Sequence, residues 1–568
     1  VTQELIETST LRVVPLGGVG EFGANMTAFV QDGQVLVVDC GMSFPEAFRL
    51  GIDAVIPDAF AALASLGKVI GWVLTHAHED HFGALPHFLR RFPAPVFASP
   101  WTAGMLRLKL ERHDMTGAAM IHEVTPGSTT SHGALTVEWL PINHSIPMAC
   151  SLLIRAPETT VFHSGDYRLG EDDSDWYRLL MARLASASSE GVDYALLDST
   201  NASSPGVNHS EEDVAEALKT HLAQAKGAVF VTTFSSHFER IQTVLEAAQE
   251  VGRKLWIVGQ GMENTISIAR SVDAWNPPEG ATVGEHEAPW LPRHELVILL
   301  TGSQAEPRSA LYRILAGEDR RISVESGDMI IFSARLIPGN EKAVYELHNK
   351  ALRQGAHIIT THLDPKIHVS GHACQDEIRA LIRKLAPRFV IPIHGTWAQQ
   401  SANRELAQLE GAACPIIPTN GDVLELGHEG PALAAHLEIP RLYVDTDSLI
   451  PMSWETLRER LRIGEQGLAI VSGVFHFSSR EWISAPKLLV RGVALGDVIT
   501  VDELAEDVSD AVQERLKTDL LLGIDSLETL LENIRVTVRR VFSSRLGKKP
   551  IVLPVLHFLK DNPQESFR

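Results

Sequence analysis

Four potential metal ligands fall within six residues in His76-Ala-His78-Glu-Asp80-His81. Neutral imidazoles and a carboxylate are ligands for zinc or manganese. At this spacing His76 and His78 can face one ion while Asp80 and His81 face a second a few ångströms away. Two ions so placed serve in-line displacement at phosphorus. Without metal the run would be a solvated polar loop, an expensive grouping of such side chains. Other chemistry-bearing residues close strand-like runs: Asp39 after QVLVV, His144 after ALTVEWLPIN, Asp166 after TTVFHSG and Asp198 after DYALL. Layered α/β folds place their sites at strand ends, where a rigid sheet holds the loops.

The elements that must position these residues change character along the chain. The first 200 residues read as short strands separated by turns, with Asp32-Gly33 a good hairpin turn. FGALPHFLRRF and WTAGMLRLKLERH read as helices. From about residue 207, strands such as GAVFVTTF, KLWIVG and ELVILLTG alternate with helical stretches, which implies a parallel α/β unit. RFVIPIHG brings one more histidine, His394, to a strand end. Residues 411–450 are strand-like and rich in turns. The tail from about 455 combines amphipathic helices with β-branched runs such as IRVTVRRVF, read as strand.

Composition narrows the function classes. The chain has 568 residues, too many for one ordinary domain, and 45% of them are hydrophobic. Its charge of −21 argues against a generally basic surface for non-specific nucleic-acid binding. No uncharged apolar run has the length of a membrane span, and the first residues show no signal-peptide pattern. Cys40, Cys150, Cys374 and Cys414 are too scattered for a disulfide framework or a thiolate zinc site. A cytoplasmic location without membrane attachment is the expectation.

HAHEDH resembles the HxHxDH signature of the metallo-β-lactamase superfamily, and Asp39, His144 and Asp166 fit the rest of that series. Asp198-Ser199-Thr200, His372 in VSGHA and His394 in IPIHG resemble motifs A, B and C of the β-CASP nucleases. LGGVGEFGANM, TGSQAEP, FSARLIPGNE and HVSGHA resemble the bacterial ribonuclease J family more closely still, over essentially the whole chain. The resemblance implies an α/β fold: a metallo-β-lactamase αββα sandwich, an inserted β-CASP α/β domain and a small C-terminal α+β domain. The expected partition is 1–206 and 369–450 for the first, 207–368 for the insertion, 451–465 for a linker and 466–568 for the last.

The resemblance also implies roles. His76, His78 and His144 bind one divalent ion, Zn2+ or Mn2+; Asp80, His81 and His394 bind the other; Asp166 bridges; Asp39 orients the loop. Asp198 raises the basicity of His372, which protonates the leaving 3′-oxygen, with Asp80 also in the catalytic group. Ser333, His368, Val369, Ser370, Gly371 and His372 form a pocket for a terminal 5′-phosphate, with Gly371 allowing close backbone approach. Gly51, Asp53 and Asp445 match a structural Ca2+ site of some members. His237 stands where related sequences often carry Asn, and is expected to alter a nucleotide contact. After YVD (443–445) the family's glycine-rich turn is shortened to TDSL. Trp101 and Trp139 read as core, and Cys374 as a small buried apolar residue.

The activity implied is a 5′→3′ exoribonuclease with endonuclease activity, acting on single-stranded, 5′-monophosphorylated RNA in RNA maturation and mRNA decay. Two other readings stand beside it. A β-CASP DNA nuclease is disfavoured by His394, because the DNA-processing branch carries valine at motif C. A catalytically silent RNA-binding scaffold is disfavoured by the complete ligand sets. The C-terminal region suits assembly as a homodimer or tetramer, within a larger RNA-degradation assembly. The last 40 residues carry eight Lys/Arg against three Asp/Glu, a basic end that either touches RNA or is a solvated tail.

Overall fold

The computed structural model describes residues 10–44, 52, 54–170, 175–337, 339–445, 449–495 and 499–559. The chain divides into two compact units, one ending at Ile450 and one beginning at Pro451.

Two sheets dominate the first unit. One runs, edge to edge, through Gly430–His436, Asp422–Gly427, Arg12–Gly17, Met26–Gln31, Gln34–Val38, Lys68–Leu74, Val96–Ala98 and Ile121–Glu123. The other runs through Phe389–Ile393, Tyr194–Asp198, Thr160–His163, Cys150–Arg155, Leu135–Pro141 and Thr129–His132. Successive strand residues point to opposite faces. Leu36 and Val38 therefore join Leu152, Ile154, Leu196 and Ile391 between the sheets. Val35 and Val37 turn outward to the cluster that holds Leu63 and Leu66 of helix Phe60–Leu66. Burial on both faces is why these strands read as continuous apolar runs rather than alternating ones. Each such side chain contributes about 1.5–3 kcal/mol relative to exposure. The result is the expected αββα sandwich.

A third sheet is wholly parallel, in the order Lys254–Val258, Leu296–Leu300, Val229–Thr232, Met329–Phe332, His357–Ile359. Phe230, Ile298 and Ile330 pack with Leu311, Ile314, Val344 and Leu347 of two helices. Val231, Leu299 and Ile331 face the helices that carry Leu218, Ile241 and Met262. The alternation read from about residue 207 is thus a doubly covered α/β layer.

The second unit has a three-stranded sheet, with Leu468–His476 between Glu481–Arg491 and Ile551–Leu559. Helices Val501–Leu521 and Leu527–Leu546 supply Val508, Val512, Ile534, Val538 and Phe542 to its core. Two expectations need correction here. IRVTVRRVF is helix, because Ile534, Val538 and Phe542 recur every fourth residue on one buried face and outweigh its β-branched composition. The stretch read as a linker at 451–465 is mostly helix Trp454–Gln466, started by the Ser453 side chain accepting from Thr456 N. No helix among the described residues is long and apolar enough to cross a membrane.

Candidate metal centre

The centre is assembled from loops that leave the two sheets at the same end. Strand Lys68–Leu74 runs into Thr75 and His76, and a short helix starts at Glu79. Asp39 follows strand Gln34–Val38 with a left-handed backbone (φ 60°), and His394 follows Phe389–Ile393 in the same way (φ 46°). Such conformations cost free energy in non-glycine residues and persist where surrounding structure enforces them. Gly41 lies against the turn: a Cβ there would sit 1.7 Å from the Asp80 carbonyl oxygen, so no side chain fits. The buried Asp39 carboxylate accepts from Thr75 N (2.8 Å), Thr75 Oγ1 (2.8 Å) and His81 Nδ1 (2.8 Å). These bonds tie Asp39 to both ends of the segment from Thr75 to His81.

Three imidazole nitrogens converge beside this loop. His76 Nε2 and His144 Nε2 lie 3.1 and 3.0 Å from His78 Nδ1. The Thr75 hydroxyl proton is committed to Asp39, so His76 Nδ1 donates to Thr75 Oγ1 (3.0 Å) and its Nε2 carries a lone pair. His144 Nδ1 donates to Gly371 O (2.7 Å), which leaves its Nε2 bare as well. Burial first, then neighbouring imidazoles, hold His76 and His144 well below the usual histidine range. Burial likewise lowers His78 to about 4, against the pull of Asp80 and Asp166. Neutral nitrogens aimed at one another repel unless a cation sits among them. The donor chemistry fits a divalent ion.

A second set shares Asp166 with the first. His81 Nε2 is 3.2 Å from Asp166 Oδ1 and 3.7 Å from Asp80 Oδ2, and His394 Nε2 is 3.6 Å from Asp80 Oδ2. Asp166 Oδ2 is 3.7 Å from both His76 Nε2 and His144 Nε2. Burial opposes the charge on Asp166, but His394 and His81 outweigh it and keep the carboxylate ionised. Divalent metal can be held by His76, His78, His144 and Asp166, and by Asp80, His81, Asp166 and His394. Asn25, which lies in LGGVGEFGANM but had no role assigned there, projects its amide nitrogen to 3.0 Å from His81 Nε2.

Asp198 and His372 meet next to both sets. His372 Nδ1 lies 2.8 Å from Asp198 Oδ2, and Asp198 Oδ1 accepts from Thr200 N (2.9 Å) and Oγ1 (2.7 Å). Burial lowers the imidazole pKa, but Asp198 and then Asp166 prevail and raise it to about 9. The main chain of His372 is fixed by Asn201 Nδ2 (3.0 Å) and Asn208 Nδ2 (2.8 Å), both donating to its carbonyl.

The pocket expected for a terminal phosphate is partly redrawn. Ser370 Oγ accepts from Asn201 Nδ2 (2.8 Å) and His372 N (3.2 Å), so its proton points elsewhere. Val369 is buried, and burial and then Arg240 hold the adjoining His368 neutral. Ser333 offers no free hydroxyl: it donates to Ile367 O (2.6 Å), accepts from Arg240 Nη1 and is fully buried. Gly371 is required by the His144 ring, since a Cβ would lie 2.7 Å from it. His237 makes no surface for a nucleotide. It is buried at the start of helix Phe238–Glu250, where its Nδ1 accepts from Arg240 N (3.3 Å) and its Nε2 faces Glu211 (3.4 Å). The exposed cation that does reach this region is Arg335, which donates to Asn201 Oδ1 (2.8 Å).

Four family models match in order along the chain. They are the metallo-beta-lactamase superfamily over 19–208 and the ribonuclease J beta-CASP domain over 226–351. A Zn-dependent metallo-hydrolase RNA specificity domain follows over 361–418, and the ribonuclease J C-terminal domain over 455–559. A ribonuclease J of Sinorhizobium meliloti is 35% identical over 97% of this chain and 97% of its own. One from Thermus thermophilus is 33% identical over 96% of this chain and 95% of its own. This chain belongs to the ribonuclease J family. A crystal structure of a protein of unknown function from Enterococcus faecalis shares the fold, with a TM-score of 0.51 and 14% identity over 73% of this chain and 99% of that one.

Other residues singled out by the ribonuclease J resemblance fall in several places. Trp101 and Trp139 are core, as expected, and all four cysteines are buried and unbridged. Burial pushes the Cys374 thiol up to about 11. Gly51 and Asp53 lie outside the described residues, as do positions 446–448 of the shortened turn and the extreme C-terminus. Asp445 ends strand Arg441–Asp445, which pairs with Ala54–Pro57. Asn25, Asn201, Asn208 and Glu377 escaped the sequence reading because amides and lone carboxylates in loops carry no spacing signal. Glu377 accepts from Asn208 Nδ2 (2.7 Å) and from Leu169 N (3.0 Å), tying the histidine loop to the segment after Asp166.

Proposed function

We propose that this protein is a two-metal ribonuclease acting 5′→3′ as an exonuclease, with endonuclease activity, in RNA maturation and mRNA decay. What carries this reading is Asp166 standing between two imidazole-rich ligand sets with the Asp198–His372 pair alongside. Divalent cations, Zn2+ or Mn2+, supply Lewis-acid stabilisation of charge on the phosphoryl and leaving oxygens when bound. Asp39 fixes the ligand loop through Thr75 and His81. His372, held protonated at neutral pH by Asp198, donates to the leaving 3′-oxygen. The chain's charge of −21 leaves attraction for RNA to this local centre.

Ser370, with the main chain of His368–Gly371 and the guanidinium of Arg335, grips a 5′-monophosphate and sets the register for trimming. The partition at 206/207, 368/369 and 450/451 follows the change from sandwich to parallel layer and back. A homodimer forms through the open face of the C-terminal sheet. Leu489 and Leu553 flank Ile470 in register there and are 46% and 44% exposed. A structural Ca2+ at Asp445 follows from the resemblance.

A time course on 5′-labelled, monophosphorylated single-stranded RNA with each metal tests the reading. Early release of labelled mononucleotide is expected, slower from 5′-hydroxyl and 5′-triphosphate ends. Equal rates for all three ends would remove the phosphate grip, and absence of RNA cleavage with either metal would sink the whole proposal.

A further inference from the structure

The second ligand set contains one more polar atom than the motifs account for. The Asn25 amide nitrogen lies 3.0 Å from His81 Nε2, 3.4 Å from His394 Nε2 and 3.4 Å from Asp80 Oδ2. Atoms sharing an ion at about 2.0–2.2 Å lie about 2.9–3.6 Å from one another in octahedral to tetrahedral arrangements. The ligands already assigned are spaced from 3.0 Å (His144 Nε2 to His78 Nδ1) to 3.7 Å (His81 Nε2 to Asp80 Oδ2). The tip of Asn25 stands at the spacing of a ligand.

Its present neighbours explain why nitrogen faces the centre. His81 Nδ1 lies 2.8 Å from Asp39 Oδ2 and His394 Nδ1 lies 2.7 Å from Asp166 Oδ1, so in both rings Nε2 is the nitrogen left to face the centre, beside the Asp80 carboxylate. Without an ion the amide N–H is turned to that carboxylate. An ion takes over the role and has no use for an N–H. A half-turn of the amide exchanges nitrogen for oxygen. The turn gives up the bond from Nδ2 to Asp80 O (3.1 Å), but that carbonyl keeps the main-chain N–H of Asn25 (2.9 Å). Asn25 is 8% exposed, so little water competes for the position.

We propose that Asn25 is a ligand of the second ion through its side-chain carbonyl oxygen. The assignment rests on the two-ion reading above and gives the second site three oxygen-bearing residues, Asn25, Asp80 and Asp166, against the single Asp166 of the first. A neutral oxygen added to carboxylates and imidazoles favours manganese at the second site relative to the imidazole-rich first.

The test is Mn2+ titration of the chelator-treated full chain by calorimetry, with bound metal counted after gel filtration. Wild type binds two ions. N25L keeps the first and binds the second about tenfold more weakly or worse, whereas N25D, which restores an oxygen, keeps both. Undiminished second-ion binding by N25L overturns the assignment. So does equal loss in N25D and N25L, which would mean that the amide serves as an N–H donor to Asp80 and the histidines. Retention of the first ion reports that each variant is folded. A wild type that binds one ion removes the two-ion reading, and this assignment with it.

Discussion

The metal centre and the helix pair of the C-terminal unit bury side chains for opposite reasons. Val508, Val512, Ile534, Val538 and Phe542 are at most 1% exposed and gain free energy simply by leaving water. His76, His81, Asp166 and Asp198 are also 2% exposed or less, yet each loses hydration on burial. They recover it only from one another, from partners such as Thr75 and Asp39, and from the cation their lone pairs describe. One region is therefore a source of stability and the other a consumer of it. Substitutions should separate stability from activity in opposite directions.

The largest effect belongs to the ligands. His78→Ala or Asp80→Ala abolishes RNA cleavage, while the melting temperature of the metal-free protein is unchanged, or raised for His78→Ala, because an imidazole crowded by two others has gone. A metal-free variant that melts well below wild type would break the comparison by showing that the ligands also hold the fold. His372→Gln comes next. It removes the proton donor but leaves both ligand sets, and lowers kcat by about 10²–10⁴-fold. In wild type the rate falls on the alkaline side as His372 loses its proton, at or below pH 9, since bound cations oppose the carboxylates that raise its pKa to about 9. The variant lacks that limb. An unchanged alkaline limb in His372→Gln assigns the proton to another group.

This contrast also explains what was legible in the sequence. Residues that are costly to bury announce themselves: HAHEDH, the strand-end Asp166 and His394, and the Asp198 and His372 motifs all meet in one centre. The sandwich and the parallel layer were legible because both faces of their strands are covered, which leaves unbroken apolar runs between turns. IRVTVRRVF was misread because its β-branched residues also satisfy a four-residue repeat, and only the partner helix decides between the two periods. The roles of Ser333 and Gly371 depend on Arg240 and His144, which are distant in sequence. Asn25 left no mark because a buried amide looks like any turn residue until the folded chain brings His81 and Asp80 beside it.

The apolar side of the comparison is tested by Phe542→Ala, which truncates a fully buried ring in the C-terminal unit. It costs about 3–5 kcal/mol of that unit's stability through lost burial and an unfilled cavity. RNA turnover per folded molecule at low temperature stays at the wild-type level. Loss of cleavage without loss of stability would mean that this core takes part in catalysis, and the division into source and consumer would fail.

The smallest effect sharpens the comparison within the first unit, at a histidine that has no ion to describe. His132 is held to about 4 by burial and then by His122, while its Nε2 meets Thr130 Oγ1 at 2.8 Å. Its folded pKa is depressed, so below the ordinary value of 6.5 the unfolded chain binds a proton that the folded chain refuses. Full stability is present above about pH 6.5, falls as the pH drops towards 4, and then levels off. His132→Gln keeps a hydrogen-bonding group for Thr130 and removes the titration. Urea unfolding of the metal-free protein at pH 7 and pH 5 should show wild type losing more stability than the variant over that interval. The ligand histidines titrate in both proteins and cancel in the difference. Equal losses would show that burial of His132 is not felt as a proton linkage, and that its thirst for water is met some other way.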